Sequence, residues 1–136
     1  MARVLVIDDS PTARRMVRIA LEPVGYEVLE ASDGRMGVEM QRTKPCDLVI
    51  TDLIMPEKEG LETIRELHRE WPGLEIIAIS GGSPALDKQH LLRTAQCFGA
   101  AQALAKPFTI RELTDTVARA LSKPAVESPD SERQAG

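Results

Sequence analysis

Short aliphatic runs alternate with longer amphipathic stretches between residues 3 and 122, and the switches are marked by Gly, Pro, Ser or Asp. The runs "RVLVID" (3–8), "EVLEA" (27–31), "DLVITD" (47–52), "LEIIAIS" (74–80) and "AQALAK" (101–106) predict five strands. The first, third and fourth are the most uniformly apolar, as strands covered on both faces must be, which leaves the second and fifth for the edges. Strands alternating with helices predict an α/β domain: a five-stranded parallel sheet in the order 2-1-3-4-5, doubly wound and flanked by five helices.

The helices carry their own punctuation. Ser10 caps the first and Pro11 takes its first position, Ala13, Met16, Val17, Ala20, Leu21 and Val24 form an apolar stripe, and Gly25 ends it. Asp33 precedes a second helix through Met36, Val38 and Met40, and the third carries Leu61, Ile64 and Leu67 and stops at "WPG". The fourth spans roughly Leu86 to Phe98 with Gly99 left-handed at its end, and the fifth runs from Thr109 through Leu113, Val117 and Leu121. The polar "KPAVESPDSERQAG" that follows cannot bury enough to order itself, so residues 1–122 are expected to fold as one domain and 123–136 to be a disordered tail. No further domain, such as a DNA-binding one, is legible.

Composition narrows the functions. A net charge of −4 offers no long-range attraction for nucleic acid, so direct nucleic-acid binding is not expected. No apolar stretch approaches the roughly 20 residues a membrane span needs, and a cytoplasmic protein without membrane insertion is expected. Cys46 and Cys97 lack metal-ligand or redox spacing and read as reduced, packed thiols.

The polar residues are informative by position. Asp8 and Asp9 close the first strand, Asp52 the third, Ser80 the fourth and Lys106 the fifth. In a parallel sheet these ends share one edge, and ligands bind there where the strand order reverses, between strands one and three. Asp8 and Asp9 could cap a helix, but Ser10 already does so. Three converging carboxylates repel unless a cation neutralises them, and an all-oxygen donor set with room for water and a phosphate oxygen suits Mg²⁺. Across from the acids, Ser80, Lys106 and the N–H groups of Gly81 and Gly82 form a cradle for a phosphoryl group. Asp52, between the two sides, is the expected nucleophile, forming an acyl phosphate.

The residues "VIDDS", "ASDG" (31–34), "DLVITDLIMP" (47–56), "IAISGG" and "LAKPF" (104–108) together resemble the receiver domain of two-component response regulators, including stand-alone chemotaxis-type members, over about residues 3–122. The resemblance implies a flavodoxin-like fold and a phosphorylation-switched signalling module rather than a turnover enzyme. Asp52 would take its phosphoryl group from a histidine kinase, a histidine phosphotransfer protein or a small phosphodonor. Asp9, Asp52 and the backbone carbonyl of Ile54 would ligate Mg²⁺, Asp8 would assist through water, and Ser80 and Lys106 would bind the phosphoryl oxygens. The helix four, strand five and helix five surface would signal to a downstream protein that the sequence does not identify, as a monomer or a phosphorylation-linked dimer.

Some positions depart from the family pattern. Ala103 stands where an aromatic switch residue is usual, and "SGGSPALDKQHLL" makes a distinctive loop that is expected to report phosphorylation instead. Ile54 and Gly82 cannot orient an attacking water, which implies a long-lived acyl phosphate. A Mg²⁺-dependent aspartyl phosphohydrolase is the alternative of another class, but the second acid it needs two residues after Asp52 is Ile54 here. A phosphorylation-independent scaffold would not need Asp8, Asp9, Asp52, Ser80 and Lys106 together. Arg14, Arg15 and Arg18 read as a solvated basic face open to an acidic partner, His68 and His90 as surface residues, and Trp71 as packing at a helix end.

Overall fold

The computed structural model describes residues 1–53, 59–80 and 88–122, with the side chains of 59 and 88–92 left aside. The predicted loop after Ser80 and the tail at 123–136 lie outside the described residues. Strands β1 (Arg3–Ile7), β2 (Glu27–Ala31), β3 (Leu48–Asp52), β4 (Glu75–Ser80) and β5 (Gln102–Ala105) alternate with helices α1 (Pro11–Leu21), α2 (Gly34–Thr43), α3 (Glu59–Glu70), α4 (Lys88–Phe98) and α5 (Ile110–Ser122). All strand pairs are parallel and the order is β2-β1-β3-β4-β5, so the most apolar runs are central as expected. Each predicted strand is recovered to within a residue at either end.

Side-chain alternation divides the core into two layers. Leu5, Ile7, Val49, Ile76 and Ala78 face Val38, Ile64, Leu67 and Ala95 of α2 to α4, whereas Val4, Val6, Leu48, Ile50, Ile77 and Ile79 face Val17, Leu21, Leu113 and Val117 of α1 and α5. Every residue of β3 is buried, which places Asp52 at the end of an element walled in on both sides. Leu61 and Trp71 are partly buried against the first layer.

Helix ends follow their capping residues. The Ser10 hydroxyl accepts from the Ala13 N–H, the Asp33 carboxylate accepts from the Met36 N–H, and Thr109 and Glu112 exchange bonds as a capping box. Gly99 ends α4 at φ +128°, and Gly25 at φ +105° follows a short 3₁₀ turn, Glu22–Val24, so α1 stops at Leu21 rather than running to the glycine. That turn also narrows the predicted stripe: Met16 and Val24 are 57% and 58% exposed, because only the Val17, Ala20 and Leu21 line reaches the sheet.

The two cysteines differ. Cys97 is exposed, not packed, because it lies on the outer face of α4. Cys46 is buried just before β3, its backbone held by the Gln41 amide through bonds of 2.9 and 3.3 Å. Burial pushes its thiol up from 9.0 to about 11. The folded state therefore disfavours the thiolate, and the stability that the neutral thiol retains below pH 9 is lost as pH rises toward 11. At about 1.4 kcal/mol per pH unit, the roughly two-unit separation is worth about 2–3 kcal/mol. Urea midpoints of wild type and Cys46→Ala should converge between pH 8 and 11; parallel curves would refute this reading.

Candidate functional site

β3 and β4 end on Asp52 and Ser80 at one edge of the sheet, Lys106 follows β5 there, and the acids at positions 8 and 9 lie beyond β1, in the turn to α1. Adjacent residues within a strand point to opposite faces, so only the turn lets both turn toward one pocket. The turn is pinned: the Asp8 N–H donates to the Ala31 carbonyl, and the Asp8 carboxylate accepts from the Ser10 N–H at 2.9 Å. Asp8, Asp9 and Asp52 each place a carboxylate oxygen within 4.8 Å of the others. Asp8 and Asp52 are buried and Asp9 is exposed.

On the other side, Lys106 Nζ lies 3.8 Å from Asp52 Oδ2, and the Lys106 N–H donates to the Ser80 carbonyl at 2.8 Å. The Ser80 hydroxyl is fully buried and has no hydrogen-bond partner among the described residues. An unsatisfied buried hydroxyl costs roughly 1–3 kcal/mol, a cost a bound acceptor oxygen would relieve. The structure thus brings Asp8, Asp9, Asp52, Ser80 and Lys106 to one edge; Ile54, Gly81 and Gly82 lie outside the described residues.

Burial raises the Asp8 carboxyl above its ordinary value, against the lowering pull of the Ser10 N–H and Lys106, and Asp9 adds to the rise. A cation among the three oxygens would reverse that penalty. The donor set is all oxygen and partly desolvated, so it fits a hard metal ion.

One brace was not legible as such. Arg14 donates to the Asp8 carbonyl at 2.6 Å and to Glu30 at 3.0 Å, and Arg18 holds the other Glu30 oxygen at 2.8 Å. The hydrogen bond from Arg18, seconded by that from Arg14, lowers the Glu30 carboxyl below its usual value. The predicted basic face of α1 is therefore mostly spent on β2, and Arg15 alone of the three arginines stays exposed. The available sequence signal was Glu30, an acid set between Leu29 and Ala31 near the end of β2.

Residues 4–118 match the family model of the response regulator receiver domain. The KDP operon transcriptional regulatory protein KdpE of Escherichia coli is 37% identical over 131 residues, covering 96% of this chain and 56% of the relative. The chain spans about half the length of the first curated relatives it matches. The chemotaxis protein CheY of Thermotoga maritima is 36% identical over 107 residues, 78% of this chain and 86% of that protein. Among solved structures, a receiver domain protein from Clostridium thermocellum aligns with a TM-score of 0.81 at 30% identity, covering 90% of this chain and 96% of the other.

Proposed function

Because this chain belongs to the response regulator receiver domain family, we propose that Asp52 accepts a phosphoryl group and that the resulting acyl phosphate switches the surface the domain offers to a partner. The single observation that carries this reading is the buried Asp52 carboxylate, with Asp8 and Asp9 on one side and Lys106 Nζ at 3.8 Å on the other. That arrangement is built for a reaction in which negative charge accumulates beside a carboxylate.

An Asp52 oxygen attacks phosphorus, the oxygen–phosphorus bond forms, and the donor leaves with the electron pair. Lys106 balances charge on the transferring oxygens and the Ser80 hydroxyl donates to one of them. Asp9 and Asp52 would hold Mg²⁺ directly and Asp8 through water, with the Ile54 carbonyl completing the set outside the described residues. Mg²⁺, when bound, supplies charge neutralisation between the acids and the phosphoryl oxygens. Arg14 fixes the backbone from which Asp8 and Asp9 project.

The donor is a histidine kinase or histidine phosphotransfer protein, and the receiver is consumed stoichiometrically rather than turning over. The added charge of roughly −2 draws Lys106 and Ser80 inward and biases the α4, β5 and α5 surface toward a downstream protein. With Ala103 at the usual aromatic position, the segment after Ser80, which lies outside the described residues, would report that bias instead.

The test is incubation with acetyl phosphate and Mg²⁺ followed by intact mass. Wild type should gain one alkali-labile phosphoryl group and Asp52→Asn none. No labelling would favour a phosphorylation-independent scaffold, and rapid release of phosphate from many esters a phosphohydrolase.

A further inference from the structure

A groove of about 380 Å³ runs between α1 and the β5–α5 connection and opens beside the acid pocket. Ala13 and Met16 form one wall, Phe108 and Ile110 the other, and Leu113 part of the floor. At one end stand Asp8 and Lys106, the latter in contact with Asp52. Met16 and Ile110, on the rim, are each 57% exposed. Large apolar side chains left exposed together at a concave site mark a binding surface rather than a core.

We propose that this groove is a leaving-group subsite, and that among small phosphodonors it favours those whose acyl group is aromatic or branched. The assignment rests on Asp52 being the phosphoacceptor. Charge and shape choose the occupant. Its anionic phosphoryl end belongs at Lys106, Ser80 and the acids, and what trails from phosphorus meets an almost wholly apolar trough. The volume lies near the lower end of the range for small-ligand sites, about 300–1,000 Å³, which is ample for one ring or branched chain. Acetyl phosphate would leave most of it unfilled.

The step balances without a further reactant. An Asp52 carboxylate oxygen bonds to phosphorus, the bond from phosphorus to the acyl oxygen breaks, and the carboxylate departs with that electron pair. No proton has to move. Both acetate and benzoate leave as stable anions, so a difference between the two donors reports what the groove does with the ring.

The test compares labelling of Asp52 by benzoyl phosphate and acetyl phosphate at equal, sub-saturating concentrations with Mg²⁺. Each rate is divided by that donor's reaction with hydroxylamine to remove intrinsic reactivity. Burying a ring predicts a corrected preference for benzoyl phosphate of about tenfold or more. Ala13→Leu fills the groove and Ile110→Trp, at an exposed rim position, covers its mouth; each should bring the ratio near one and leave the acetyl phosphate rate as in wild type. A wild-type ratio near one, or a preference undiminished in both variants, overturns the subsite while the acceptor assignment stands. Failure of both donors to label Asp52 overturns the acceptor assignment and the subsite with it.

Discussion

Gly60→Ala should lower stability by about 2–3 kcal/mol and the thermal midpoint by roughly 5–10 °C. Gly60 is buried in the first turn of α3, where helix propensity alone favours Ala by about 1 kcal/mol. Sterics oppose that gain. A Cβ there would stand 2.5 Å from the Asp52 carbonyl oxygen, 2.6 Å from Leu53 Cα and 2.7 Å from the Leu53 carbonyl oxygen. These are backbone atoms, which cannot swing aside as a side chain can. Either α3 lifts from the sheet or the chain after Asp52 shifts, so the damage falls on the backbone that presents the acceptor. Differential scanning calorimetry checks the first effect and a Mg²⁺ titration the second. A midpoint within 2 °C of wild type would show that the close approach is not obligatory.

Asp8→Asn is expected to do the reverse: to stabilise the metal-free protein by roughly 1 kcal/mol and weaken Mg²⁺ binding about 10- to 100-fold. Asn keeps the acceptor for the Ser10 N–H and removes a buried charge that Asp9 repels. Its sign against pH is definite. Asp8 has a folded-state value raised above 3.8, so its contribution is fully favourable below 3.8 and is lost as pH rises through the folded value. Glu30 acts oppositely: its value is lowered below 4.5, so its stabilisation is present above 4.5 and is lost as pH falls through the folded value. Metal-free Asp8→Asn should therefore lose the Asp8 component and retain the Glu30 one. Urea unfolding in chelator and calorimetric Mg²⁺ titration measure the two effects. A variant less stable in chelator with undiminished Mg²⁺ affinity would mean that Asp8 is structural rather than held for a cation.

Stability and function thus pull apart at this edge. The same burial that disfavours a charged Asp8 would favour a cation beside it, and the Ser80 hydroxyl, without a partner among the described residues, is a second local cost next to the proposed acceptor.

Most of the fold was legible because its signals are local. Uniform apolarity marked β1, β3 and β4 as central, and Ser10, Asp33 and Thr109 announced helix starts through bonds to residues three positions on. A local pattern falls short where the outcome depends on a distant partner. The periodicity of α1 says which residues can face a sheet and not how far the sheet extends, so the predicted stripe includes Met16 and Val24, which the sheet does not cover. Arg14 and Arg18 looked like a free basic face until β2 placed Glu30 beside them.

The number and order of the strands and α-helices, their capping and the position of Asp8, Asp9, Asp52, Ser80 and Lys106 at or just past strand ends follow from the order of residues alone, because these depend on the chemistry of a few neighbouring residues. Packing in three dimensions sets the 4.8 Å within which the three acids meet, places Arg14 and Glu30 to brace their turn, and leaves an apolar groove between α1 and α5 beside them. Those features depend on how far apart packed helices and paired strands come to rest, which is set by the summed volumes of side chains distant in sequence.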